Sequence, residues 1–255
     1  MITPFDHLYP EIAAHMAAAY PREGCGLVVD GRFVPVENTA EGADEFAMPA
    51  DTVLRYPRID AVIHSHPDGP DCPSEADMRG QLAMAVPWGL CTVSADKDVS
   101  RPWYWGADEF TPPLVGREFR HGPSGSDGAG DCYALIRDWY RLERGAILPE
   151  FPRSDGWWND GLNLYADHFR EAGFRDAMTA LYPDISILDA QPADWDKETA
   201  ISVMNDFMQS YSENHAGIMT GGSQLILHHL SGRLSRQEPM GRWHKFIERW
   251  VRYEP

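Results

Sequence analysis

The stretch His64-Ser65-His66-Pro67-Asp68-Gly69-Pro70-Asp71-Cys72-Pro73-Ser74-Glu75-Ala76-Asp77 decides how the first half of the chain is read. It opens at the end of a short apolar run, Ala61-Val62-Ile63, which predicts a buried strand. Histidines at i and i+2 on a strand point the same way, so both imidazoles reach one metal ion. The proline- and glycine-rich loop that follows turns the chain back toward a helix over Ser74 to Val86, stopped by Pro87. Asp77 then supplies a third ligand. Three nitrogen and oxygen ligands leave a fourth position open, as in a catalytic zinc site. Ser74-x-x-Asp77 is also a capping box, and a first-turn carboxylate serves both purposes.

Working outward, Tyr9 to Tyr20 predicts a helix stopped by Pro21, and Glu23 to Asp30 a strand. Gly31 turns that strand into a hairpin partner over Arg32 to Val36. Phe46 is expected on a short strand, and Asp51 to Arg55 in a helical turn. Gly89 to Ser94 reads as a strand and Val99 to Trp105 as an edge strand. Taken alone, Glu23 reads as a solvated residue at the rim of its strand.

The pattern H-x-H-x(7)-S-x(2)-D, taken with Glu23-Gly24-Cys25-Gly26, resembles the JAMM (JAB/MPN, Mov34-type) metalloprotease family. That resemblance implies a zinc metalloprotease domain over about residues 1–112. In it His64, His66 and Asp77 hold Zn²⁺, Glu23 is the base and Ser74 supports the oxyanion.

The breaker-rich segment from Thr111 to Gly130 places a domain boundary near residues 110–120. Beyond it, Asp131 is a good N-cap, and Leu135, Ile136, Trp139 and Leu142 form an apolar helical stripe ended by Gly145. Cys132 opens that helix, where the helix dipole and free N–H groups favour a thiolate and receive an oxyanion. A nucleophilic cysteine needs a base. His215 begins a strand candidate, Gly221-Gly222-Ser223 a turn, and Gln224 to His229 a returning strand, so His215 neighbours a histidine across an antiparallel pair. Asp160 to Ala172 predicts a helix, Trp157 and Trp158 pack or line a groove, and Trp243 to Tyr253 forms a final strand or short helix.

These pieces resemble the NlpC-type cysteine peptidases, over about residues 113–255. The resemblance implies a papain-like fold and cleavage of peptidoglycan stem peptides next to γ-D-glutamate. Cys132 is then the nucleophile, His215 the base and His228 the orienting residue. The turn is about one residue longer than the family's, so His229 stands as the alternative to His228.

The expected fold class is α+β (mixed α/β) in two domains. The net charge of −17, from 22 basic and 39 acidic residues, excludes a nucleic-acid-binding stripe. No apolar run reaches membrane-spanning length, so no membrane insertion is expected. Four scattered cysteines fit synthesis in a reducing cytosol, and the N-terminus has no signal-peptide pattern. A JAMM-like domain followed by an NlpC-type domain resembles the tail-tip assembly proteins of long-tailed bacteriophages. That implies a virion tail-tip location, other tail-tip proteins as partners, and a role in opening the host cell wall. A mainly structural tail-tip hub and a free cytosolic isopeptidase are the rival classes.

Overall fold

The structure is a computed structural model that describes residues 3–157, 162, 164–176, 185–188, 215–220, 224–243 and 247–253. The chain forms two compact units, residues 1–112 with 124–128, and residues 113–123 with 129–255. Both mix helix and sheet.

In the N-terminal unit, α1 (Tyr9–Ala19) leads to β1 (Cys25–Val29) and β2 (Arg32–Val36), an antiparallel hairpin turned at Asp30 and Gly31, both with positive φ. A short helix, α2 (Ala50–Leu54), precedes β3 (Ala61–Pro67), the long buried strand. Helix α3 (Glu75–Met84) then crosses over to β4 (Trp88–Val93), which lies parallel to β3, and β5 (Trp103–Trp105) closes the edge. The sheet order is β2-β1-β3-β4-β5. The single parallel pair is the one joined through α3, since a parallel connection needs a crossover long enough to hold a helix.

Alternation along β3 divides the residues between two faces. Ala61 and Ile63 join Ile12 and Met16 of α1 in one core cluster. Val62 joins Trp88, Leu90, Trp103 and Trp105 in another. His64 and His66 fall in phase with Val62. Helix α3 approaches Trp88 closely at Gly80, where an added Cβ would come within 2.5 Å of the indole. A residue with a side chain there would push the helix, and Asp77 with it, off the sheet.

Two expectations shift here. Phe46 lies in a loop, because the Asn38 side chain takes over the pairing: its Oδ1 accepts from Ala40 N and Ala47 N, and its Nδ2 donates to the Glu23 carbonyl. The edge strand narrows to Trp103–Trp105, with Val99 contributing an isolated bridge to Val93.

The C-terminal unit begins with the parallel pair β6 (Glu118–Phe119) and β7 (Ala129–Gly130). Helix α4 (Cys132–Trp139) runs into a π-helical turn, Tyr140–Arg144, ended by Gly145 at φ +64°. The π turn rotates the following residues, so Leu142 leaves the apolar stripe and is 53% exposed. Within the stretch expected as a helix from Asp160 to Ala172, α5 covers Leu164–His168. Strands β8 (Phe174–Asp176), β9 (Ile185–Leu188), β10 (His215–Thr220), β11 (Leu225–His228), β12 (Arg236–Pro239) and β13 (Ile247–Tyr253) follow. They form one sheet in the order β12-β11-β10-β9-β13-β8. Leu135 and Ile136 of α4 share a core cluster with Ala216, Ile218 and Val251. The Gly221–Ser223 turn and Trp158 lie outside the described residues. Among the described residues no helix is long and apolar enough to cross a membrane.

Candidate functional sites

The N-terminal candidate is assembled by three elements. β3 presents His64 and His66, α3 presents Asp77 from its first turn, and Glu23 sits two residues ahead of Cys25, whose register partner is His64. One ligand atom from each of His64, His66 and Asp77 lies within 4.8 Å of the others, and all three residues are buried. His64 Nε2 is 3.3 Å from Asp77 Oδ1, and His66 Nε2 is 3.4 Å from Asp77 Oδ2 and 3.8 Å from Glu23 Oε1.

The surroundings orient these groups. His66 Nδ1 donates to the Pro70 carbonyl at 3.0 Å, which leaves Nε2 as the nitrogen turned toward Asp77 and free of that proton. The loop supplying that carbonyl is pinned by Tyr20 Oη donating to Asp68 at 2.6 Å and Trp103 Nε1 donating to Asp71 at 3.0 Å. Ser74 caps α3: Asp77 N donates to its Oγ at 3.1 Å, while Ser74 N and Oγ each donate to Asp77 Oδ2 at 2.7 Å. One Asp77 oxygen is thus fixed by the cap. His64 stacks on Phe46 at 4.8 Å and meets Trp88 and Trp105 edge-on.

Burial raises the Glu23 carboxyl to about 7; His66 lowers it, while Asp77, Asp44 and Glu45 add to the rise. Burial opposes the charge on Asp77, yet His64, His66 and Ser74 hold its pKa well below the carboxylate range. Burial works against a charged His66, but Asp77, the Pro70 carbonyl and Glu23 raise its pKa overall. Neither ring nitrogen of His64 makes a hydrogen bond, although the ring is fully buried. Nε2 has the 3.3 Å contact to Asp77, but leaving Nδ1 of a buried ring without a hydrogen bond is costly. Two imidazoles and a carboxylate around that gap are a donor set that fits zinc.

The C-terminal candidate surrounds a cavity of about 80 Å³ lined by Cys132, His121, Tyr165, His215 and His229, with Trp157 on the wall. Asp131 caps α4 through Ala134 N at 2.8 Å and accepts from Arg153 Nε at 2.7 Å. Cys132 Sγ lies 2.9 Å from Tyr165 Oη. The thiol departs from the low pKa expected of a helix start. Burial and the adjacent Asp131 carboxylate push it up to about 11, outweighing Tyr165, Ala216 N and Arg153.

His215 Nε2 is 3.3 Å from His228 Nδ1, and His228 Nε2 is 2.8 Å from Glu238 Oε1. The structure therefore brings His215 and His228 together, with His228 behind the cavity lining and His229 on it. The His215–His228 contact follows from the ladder: Gly217 pairs with His228, so His215, two residues before it, shares the face of His228. Burial, with His228 and His229, lowers the His215 pKa well below normal, and burial with Arg117 brings His229 to about 4. Phe46, Tyr165, Arg153 and Glu238 are neighbours that sequence reasoning missed.

Residues 6–106 match the family model for prokaryotic homologs of the JAB domain. In the solved structures, a protein of Desulfitobacterium hafniense aligns at 22% identity and a TM-score of 0.30, over 38% of this chain and 78% of its own. The tail tip assembly protein K of Escherichia phage lambda is 35% identical over 195 residues, 76% of this chain and 78% of its own. That of Escherichia phage N15 is 31% identical over 255 residues, 95% of this chain and 93% of its own. On this similarity the chain belongs to the tail tip assembly protein K family.

Proposed function

We propose that this chain is a phage tail-tip protein with two hydrolytic centres, a zinc peptidase site in the N-terminal unit and a cysteine peptidase site in the C-terminal unit that cleaves peptidoglycan stem peptides. The observation that carries the reading is the convergence of buried His64, His66 and Asp77 within 4.8 Å, with Glu23 beside them. The relatives' name places them in tail-tip assembly, which supports the virion location and other tail proteins as partners.

Zinc held by His64, His66 and Asp77 would supply Lewis acidity and a water of lowered pKa. Glu23, raised to about 7, is poised to take up and release a proton near neutral pH. Ser74 holds Asp77 in place, and its hydroxyl is the group we assign to a developing oxyanion once it turns from that carboxylate. The substrate of this centre is a peptide or isopeptide bond.

In the C-terminal unit Cys132 Sγ attacks an amide carbonyl carbon. The S–C bond forms, the thiol proton passes to His215, and the C–N bond breaks as His215 protonates the leaving amine. Water then cleaves the thioester, its hydroxyl going to the acyl carbon and its proton back to sulfur. His228 orients His215. This half of the reading, with its papain-like fold, draws on Asp131-Cys132 at a helix start and on the His215–His228 pair.

A digest of purified peptidoglycan, read by mass spectrometry of the released muropeptides, tests both halves. We expect cleavage next to γ-D-glutamate that survives a chelator and falls by about a thousandfold or more in Cys132→Ala. Cleavage that stops with chelator and survives Cys132→Ala would reverse the roles. No cleavage in any sample favours the second reading, a structural tail-tip hub, for which the relatives' designation as assembly proteins speaks.

A further inference from the structure

We infer that Glu238 is a positioning residue of the thiol centre, setting through His228 the ring nitrogen that His215 presents as base. The inference rests on the Cys132–His215 reading proposed above and extends it by one residue.

Glu238 lies on β12, opposite Ile226 and two register positions from the His228–Arg236 pair, on the same face of the strand as Arg236. Its Oε1 is 2.8 Å from His228 Nε2 and also accepts from Trp243 Nε1 at 3.1 Å. Arg236 Nη2 is 3.6 Å from the same oxygen, so the carboxylate is held from two further sides. Its side chain is about nine-tenths buried, at 11% exposure.

The direction of the hydrogen bonds follows from donor inventory. An ionised carboxylate only accepts, so His228 Nε2 carries the proton between them. With His228 neutral, its Nδ1 is then an acceptor, and the contact to His215 at 3.3 Å requires the proton on His215 Nε2. That leaves Nδ1 of His215 with its lone pair bare, the state a general base needs. His215 meets no carboxylate directly in this chain of contacts, so the acidic end acts on it only through His228. Burial, with His228 and His229, lowers the His215 pKa, so the ring is neutral at neutral pH.

The test combines two readouts on the full chain. Long-range ¹H–¹⁵N correlation spectra report which nitrogen of each histidine carries its proton, and iodoacetamide reports the reactivity of Cys132 from pH 5 to 9. Wild type is expected to show Nε2–H on both His215 and His228. Glu238→Ala is expected to move His215 toward Nδ1–H and to slow alkylation at neutral pH by on the order of tenfold. Glu238→Gln keeps an acceptor oxygen against Trp243 and His228, retains the fold, and falls between the two. An unchanged His215 tautomer in Glu238→Ala and Glu238→Gln overturns the inference. His215→Ala, run alongside, separates the two layers. If His215→Ala leaves alkylation unchanged, the thiol–imidazole reading itself fails. If it slows alkylation while Glu238→Ala does not, the role of Glu238 alone is lost.

Discussion

The two candidate sites solve the same problem, holding polar groups where water is scarce, by opposite means. In the N-terminal unit the donors converge: two imidazoles from one strand and a carboxylate from the next helix point at a common centre, and His64 is left without a hydrogen bond. In the C-terminal unit the polar groups run in file, from His215 through His228 to Glu238 and Trp243, each satisfied by the next. A convergent cluster of buried groups is stable when something charged fills its centre. A file needs no guest, because each link compensates its neighbour's desolvation. On the reading proposed above, the first arrangement would hold an ion and the second would fix where a proton sits.

The sharpest way to break this contrast is to remove one member from each. His64→Ala is expected to cut zinc affinity by about a hundredfold or more, read as bound zinc per chain by elemental analysis of purified protein. His228→Ala is expected to leave zinc content unchanged. A protein that keeps its zinc in His64→Ala would show that the centre is held otherwise than by these ligands.

How early each site was visible follows from the range of its contacts. His64 and His66 obey the period of a strand, and Ser74 with Asp77 obeys a helix cap, so their proximity needs only the short loop between them. Glu23 is 41 positions before His64, yet it comes into reach because β1 and β3 pair with Cys25 against His64. Phe46 escaped because a side chain, Asn38, replaced the strand ladder that periodicity assumes. In the C-terminal unit the cap at Asp131 was legible, but its consequence for Cys132 was not. The dipole of a helix start is written in the sequence, whereas the burial that outweighs it depends on Tyr165, β10 and the packing around them. Leu142 followed a stripe of 3.6 residues that the π turn at Tyr140–Arg144 breaks. Glu238 belongs to the file only through a third strand, a contact that no local pattern announces.

The same contrast sets the pH response of the two units. Glu23 has its folded pKa raised to about 7 from an ordinary value near 4.5, so its contribution is full below about 4.5 and is lost as pH rises toward 7. Zinc-free protein is therefore expected to lose stability in the N-terminal unit over that rise. His229 is lowered to about 4, and burial also lowers His121 and His215. Their neutral forms support the C-terminal unit above about 6.5, and that support is lost as pH falls toward 4. For His229 alone the change is about 3 kcal/mol, at about 1.4 kcal/mol per pKa unit. Hydrogen exchange followed by segment at pH 4.5 and 7, with chelator present, is expected to show opposite trends in the two units. Parallel trends would mean that the buried imidazoles and Glu23 do not dominate their units.

The smallest expected effect sharpens what convergence requires. Phe46 stacks on His64 at 4.8 Å with its ring tilted by 28°. Such a pair contributes about 0.5–1.5 kcal/mol beyond the area it buries. Phe46→Ala is accordingly expected to weaken zinc binding by less than about tenfold, measured by competition with a chromophoric chelator, while Phe46→Leu stays closer to wild type. His64 is also boxed by Trp88 and Trp105, so loss of one wall leaves the ring confined. A fall in Phe46→Ala as large as in His64→Ala would mean that the strand period alone does not aim the imidazole. The loop over residues 39–48 would then be part of the metal site, even though it contributes no ligand.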